Sequence, residues 1–234
     1  MGGLGGLARL GATGALLGPA VDAVHNQALL VYDKLPLSVS LPLGTVQTSL
    51  LVPPLLFVAY AVLGGVLPTF SANLLPSHEP ELPPAGGSPA TRGLLAVSST
   101  VCIIKLSEVL VSATTLPSGA VLAALTAMCL MQWKLLDGRI SSLVLAAVAA
   151  VGGPLAELPL MKLGCWHYIS PDYWPLAAFG FGPEVPGAEW AGLSLITGPC
   201  YACVTTDAIA LGRWYAWSGS ADVNGPSSPC LLYT

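Results

Sequence analysis

Apolar stretches long enough to cross the hydrocarbon core of a bilayer as helices recur six times along the chain, separated by short polar or Pro/Gly-rich segments. They run over about 4–31, Val46–Leu75, 93–113, 117–135, Ser141–Leu163 and 189–212. Composition agrees with that pattern: of 234 residues, 54% are hydrophobic and only 9% charged, against roughly 25% charged residues in soluble domains. A water-soluble fold of this length needs a polar shell that eight Lys and Arg and twelve Asp and Glu cannot supply. The expectation is an all-α integral membrane bundle of six transmembrane helices in one domain, residues 1–214, followed by a mobile Ser/Gly/Pro-rich tail over 215–234. Arg9 makes a weak charged start for a signal peptide, so the first span is read as retained.

Asp22, His25 and Asn26 interrupt the first stretch, and Pro53-Pro54 and Gly64-Gly65 interrupt the second. The prolines between Pro76 and Arg92 make that segment a loop. Only Ala113 to Pro117 separates the third and fourth spans, which makes them antiparallel neighbours. The longest non-helical region, about 164–188, carries Trp166, Tyr168, Tyr173, Trp174 and Phe179. With Ser170, Pro171 and Asp172 it reads as an interfacial loop, because such rings satisfy both an apolar body and a polar edge at the headgroup level. Arg9, Arg92, Lys134, Arg139 and Arg213 fall on one side of this layout and Lys34 and Lys162 on the other, which places both termini on the cytosolic or equivalent side.

Several function classes are excluded. The carboxylates form no run and no basic cluster exists, so nucleic acid has no electrostatic footprint. Cys200-Tyr-Ala-Cys203 has the CxxC spacing without a second pair or paired histidines, so the cysteines read as small packing residues and no metal is expected. No GxSxG, HExxH or Gly-Lys-Ser/Thr phosphate loop occurs, and the chain reads as non-catalytic.

Ionisable groups inside spans each need an account, since one at the bilayer centre costs about 2.5 kcal/mol or more. Asp22, His25, Lys105, Glu108, Glu157 and Asp207 are those groups. Lys105 and Glu108 are three apart on one helix and neutralise each other, as an internal pair, a ligand contact or a proton path. Glu157 stands between Pro154 and Pro159, where a broken helix would free carbonyls and admit water. Asp22 and His25 share one helix face. The histidines His25, His78 and His167 permit ligation of a chlorophyll or other pigment, beside the alternative of surface or interface residues. Gly2, Gly6, Gly11, Gly14 and Gly18 offer a close-packing face, and Gly/Pro-broken spans leave room for a cavity that admits a lipid tail.

One set of motifs is familiar. The run from Trp166 through Tyr168, Ser170, Pro171 and Asp172 to Tyr173 resembles the Tyr-x-Ser-Pro-Asp-Phe segment after the fifth helix of the Insig (insulin-induced gene) family. Val52-Pro53-Pro54 with Gly64-Gly65 and Pro68 resembles that family's second span, and Ser77-His78-Glu79-Pro80 its Ser-His and Glu-Pro loop. Trp133 and Asp137 match a Trp and Asp that close the fourth span, and Gly212-Arg213 the Gly-Arg that closes the sixth. Order and spacing agree from about residue 20 to 214. The resemblance implies a divergent, non-animal relative of six-helix endoplasmic reticulum proteins that bind a sterol or related lipid between helices and hold a partner membrane protein. It implies a partner-holding role for Asp137, beside which Trp133 and Arg139 are further candidate partner contacts; Asp22, Lys105, Glu108 and Glu157, read above as ionisable groups inside spans, are the candidate lipid or polar intramembrane contacts. Two features depart from the family: Lys105-x-x-Glu108 replaces its Lys-x-Asp-Phe-x-Asn-Asn stretch, and the longer segment 174–190 offers an added docking surface. The alternatives are an accessory subunit of a large, photosynthetic complex in the thylakoid membrane that contacts chlorophyll or carotenoid, and a small transporter built on Lys105, Glu108 and Glu157.

Overall fold

The computed structural model describes residues 4–26, 28–41, 44–74 and 89–224. Helices dominate because a backbone in hydrocarbon has to pair its own N–H and C=O groups. α1 (Leu4–Asn26) is followed by β1 (Leu30–Tyr32) and by a ribbon of β2 (Pro36–Leu41) and β3 (Gly44–Ser49). α2 (Val52–Ala61) and α3 (Leu67–Leu74) are joined by a π turn, Val62–Val66, into one rod. Then come α4 (Pro89–Ser112), α5 (Ser118–Leu136), α6 (Ile140–Lys162), β4 (Trp166–Tyr168) and α7 (Thr197–Asn224). Among the described residues this is an all-α membrane bundle of six rods.

Five of the rods are long and apolar enough to cross a membrane, and each buries only 22–33% of its apolar window inside the bundle. Their outer faces therefore meet lipid. α7, the sixth rod, carries Thr205, Thr206, Asp207 and Arg213 and is enclosed instead, with α1, α4, α5, α6 and the α2–α3 rod packed on it. Enclosure explains how so polar a helix is tolerated. The starts of α1 and α4, the α5–α6 turn and the far part of α7 gather Arg9, Arg92, Arg139 and Arg213 at one end, here the basic end. The β-strands lie at the other, the ribbon end.

Four boundaries differ from the sequence-based expectation. The segment read as a loop through Arg92 turns helical at Pro89, which opens α4 at a position where proline's missing N–H costs nothing. The first apolar stretch stops being helical at Asn26, and Leu30–Tyr32 pairs antiparallel with Trp166–Tyr168. The second begins at Val52 rather than Val46, because Gly44–Ser49 pairs with Pro36–Leu41 and Pro53 stands in the first helical turn, where its missing N–H costs nothing. The last helix begins at Thr197, not 189, and continues to Asn224, so the tail drawn from 215 starts inside a helix; residues 225–234 lie outside the described residues. α6 also runs unbroken through Pro154 and Pro159. Proline 154 has no N–H for the Ala150 carbonyl, and that carbonyl faces α7 at Gly198, where a Cβ would lie 2.9 Å away.

Close backbone approach seats α7. A Cβ on Gly64 of the π turn would stand 2.1 Å from the Ala208 carbonyl oxygen, and one on Gly212 would stand 2.1 Å from the Gly64 carbonyl oxygen. Between α1 and α2, a Cβ on Gly14 would meet the Leu56 carbonyl at 2.6 Å. Lipid supplies no hydrophobic drive between helices, so such contacts carry the packing. Gly212→Val is expected to cost about 3 kcal/mol, the upper range for overpacking. Gly152→Ala, where nothing lies within 4 Å, is expected to be neutral or stabilising; thermal unfolding in detergent of the two variants checks this.

Candidate functional site

At the ribbon end, α1, α2, α4, α6 and α7 enclose a cavity of about 170 Å³ closed over by β1 and β4. Its walls are apolar, with Val21, Leu55, Leu56, Ile104 and Val204 among them. The polar groups concentrate at one end. Glu157 of α6 is the hub: its Oε2 accepts from the Tyr168 hydroxyl at 2.9 Å and from the Trp166 indole N–H at 3.3 Å, and its Oε1 accepts from the Tyr201 hydroxyl at 2.9 Å. Tyr168 spends its one proton on Glu157, so Thr197, 3.0 Å away, donates to it. Burial first, and then the Glu157 charge, hold the Tyr168 phenol far above its ordinary range, so it stays a donor.

Across the cavity Tyr32 of β1 donates to Asp22 of α1. One turn on, His25 Nδ1 lies 2.9 Å from the Ser107 hydroxyl of α4, which itself donates to the Ile104 carbonyl at 2.7 Å. Behind the cavity Tyr60 donates to Asp207 at 2.7 Å, buried between α2 and α7. Two carboxylates line the space, and no Lys or Arg does. A neutral group that donates hydrogen bonds fits such a site. A phosphate would face unopposed negative charge and does not.

The structure thus brings Asp22, His25, Glu157, Trp166 and Tyr168 together and leaves the other nominated residues elsewhere. Trp166 and Tyr168 are buried rather than at a headgroup-level surface, because the Glu157 carboxylate satisfies their polar edges inside. Ser170, Pro171 and Asp172 follow at the ribbon end, where Asp172 accepts from the Leu195 N–H at 2.8 Å and Pro171 packs on Gly192. Lys105 and Glu108 pair on α4, with the Lys105 side chain 52% exposed, and neither lines the cavity. His167 pairs with Asp33 at 2.8 Å on the outward side of the β1–β4 pair, whose inner side carries the buried Trp166 and Tyr168. His78 lies outside the described residues.

Asp137, Trp133 and Arg139 cluster at the basic end. Gly138, with φ +68°, adopts the left-handed conformation that closes the α5–α6 turn. It leaves Asp137, 4% exposed, ion-paired with Arg213 of α7. The Trp133 indole N–H reaches the Arg139 carbonyl at 2.8 Å and the Ser142 hydroxyl at 3.1 Å. Between α5 and α6, over α7, a second and larger groove of about 410 Å³ runs past Trp133, Ala146, Ala150 and Ala202 to Tyr173.

No family model matches the chain, and no curated protein does. Its structure is similar to the crystal structure of a cross-linked trimer of MvINS, an Insig-family protein, with a TM-score of 0.62 over 91% of this chain and 95% of that one at 22% identity. The fold is Insig-like. It places the two sets of nominated residues at opposite ends of the bundle.

Tyr32, Thr197 and Tyr201 escaped the sequence reading. Tyr201 lies inside the Cys200-x-x-Cys203 spacing, whose signal drew attention to the thiols. Glu157→Leu leaves three buried donors unpaired and is expected to cost about 3 kcal/mol or more, whereas Glu157→Gln keeps an acceptor and costs about half as much; melting temperatures in detergent rank the two. Asp137→Leu strands the Arg213 guanidinium and is expected to cost about 3–5 kcal/mol, much of which returns in the Asp137→Leu, Arg213→Leu double variant. A double variant no more stable than the single one would show that the ion pair is not what Asp137 contributes.

Proposed function

We propose that this integral membrane protein is non-catalytic, binds a neutral, hydroxyl-bearing lipid such as a sterol between its helices, and holds another integral membrane protein against its outer faces. The observation that carries the reading is the cavity inside a lipid-facing bundle, apolar along its length and closed by Asp22, Glu157 and the Tyr32, Tyr168 and Tyr201 hydroxyls, without a cation. A lipid hydroxyl can donate to a carboxylate there and accept from a phenol, while its apolar body lies against α1, α2 and α7. The Insig-like fold supports the same class of ligand, and by that resemblance an endoplasmic reticulum location.

For the partner, Asp137 acts from behind. Its carboxylate is buried against Arg213, so its contribution is to hold the α5–α6 turn, with Trp133 and Arg139, in the shape a partner meets. The alternative readings draw less support. His25 is buried within the bundle, which does not favour a pigment on it, and His167 lies on β4, outside the membrane-spanning rods. Lys105 and Glu108 pair on α4 away from Glu157, which does not favour one transport path through all three.

Purification in mild detergent, followed by mass spectrometry of the extracted lipid, tests the reading. A neutral hydroxyl lipid is expected near one per chain, with at least a tenfold lower yield from Val21→Phe, which fills the cavity, in preparations that melt as the parent does. Lipid carry-over indifferent to Val21→Phe would overturn the proposal.

A further inference from the structure

The β2–β3 ribbon stands outside the site just described. Its register pairs Leu37 with Thr48 and Val39 with Val46 on one face, and Pro36 with Ser49, Ser38 with Gln47 and Ser40 with Thr45 on the other. Directly opposed residues of an antiparallel pair share a face, so the ribbon is amphipathic. From Leu35 to Leu51 the sequence holds no charged residue. Strands that meet water along free edges are normally guarded by charge, and a lone two-stranded ribbon is marginal in water.

This ribbon is nonetheless fixed at its base. The Leu50 N–H donates to the Leu35 carbonyl at 3.0 Å, the Ser49 hydroxyl donates to the Lys34 carbonyl at 2.8 Å, and Leu35 takes a positive φ of 47° to turn the chain into β2. On β3, which lies against α1, Val46 is half-buried and Thr48 buried, whereas the apolar side chains on β2 and at the base are not covered by the bundle: Leu35 is 57% exposed, Leu37 39%, Val39 41% and Leu50 56%. They continue the lipid-facing belt of the neighbouring rods, where Leu16, Leu17, Leu55 and Val58 are exposed. Charge reappears only at Asp33 and Lys34, beside the exposed His167.

We propose that the β2–β3 ribbon is a membrane-surface element whose Leu37, Val39 and Val46 face seats in the boundary between headgroups and acyl chains of the leaflet at the ribbon end. The occupant of that face is the bilayer itself. The headgroup region takes the Ser38, Ser40, Thr45 and Gln47 face, and Asp33 and Lys34 mark its aqueous side. The ribbon thereby anchors the link between α1 and α2, two walls of the cavity, at a set depth.

The test places the photo-crosslinking residue benzoylphenylalanine singly at 37, 38, 39 or 40 in the full chain, reconstituted in phosphatidylcholine vesicles. Irradiation is followed by mass analysis of the adduct. Phospholipid adducts at 37 and 39 at least fivefold above those at 38 and 40 are expected. Equal yields at all four positions, or none at 37 and 39, would overturn the proposal. Cross-links to a second copy from 37 and 39 would also overturn it, by assigning the face to ribbon pairing between chains.

Discussion

Hydrocarbon offers no partner for a polar atom, and the polar atoms of α7 accordingly set the arrangement of everything around it. Three stations lie along that helix: Thr197 and Tyr201 at the cavity, Asp207 bonded to Tyr60, and Arg213 paired with Asp137. From the first to the last is about 24 Å at the helical rise, most of the roughly 30 Å of a bilayer core. Each station draws in a different neighbour: α6 and β4 at the first, α2 at the second, the α5–α6 turn at the third. The bundle closes because the sixth rod cannot face lipid, not because its six rods are alike.

Small residues let that closure happen. Gly64 and Gly212 bring the π turn and α7 to backbone contact. Dispersion between backbones at that distance replaces the solvent-driven packing that a soluble core would use. Where proline removes a helical hydrogen bond at Pro154, the freed carbonyl points at Gly198, so the defect is turned toward the same crowded seam and away from lipid. The cavity survives at the ribbon end because bulky rings, Tyr32, Trp166, Tyr168 and Tyr201, hold the rods apart there, while glycines draw them together elsewhere.

Long apolar runs made the six rods legible, since no other structure satisfies so many backbone groups in lipid. Asp22 and Glu157 were legible as charges inside those runs. Their partners were not: Tyr32 is ten residues from Asp22 in sequence and Tyr201 is 44 from Glu157, and a tyrosine in an apolar stretch announces nothing by itself. Trp166 and Tyr168 show the ambiguity from the other side. An amphipathic ring is at home either at the headgroups or against a buried acceptor, and only the fold reveals that Glu157 supplies the acceptor. The ribbon was hidden because most of β3 fell in the apolar stretch read as a span from Val46, which left Leu37, Val39 and Leu41 of β2, alternating with Pro36, Ser38 and Ser40, between spans with no partner strand in view. Asp137 and Arg213 were visible singly, 76 residues apart, with no local pattern to pair them.

The carboxylates of α4 and of the cavity are satisfied in different ways. Lys105 and Glu108 carry opposite charge on one helix, so the pair is complete on its own, with Glu108 buried and the Lys105 side chain exposed. Glu157 accepts from two phenols and an indole, and Asp22 from the Tyr32 hydroxyl, donors that share charge without cancelling it. On the lipid-binding reading proposed above, acids that accept from neutral donors favour further donors and disfavour anions, and that asymmetry, set at the end of an otherwise apolar space, would distinguish a lipid by its headgroup when every lipid offers the same hydrocarbon.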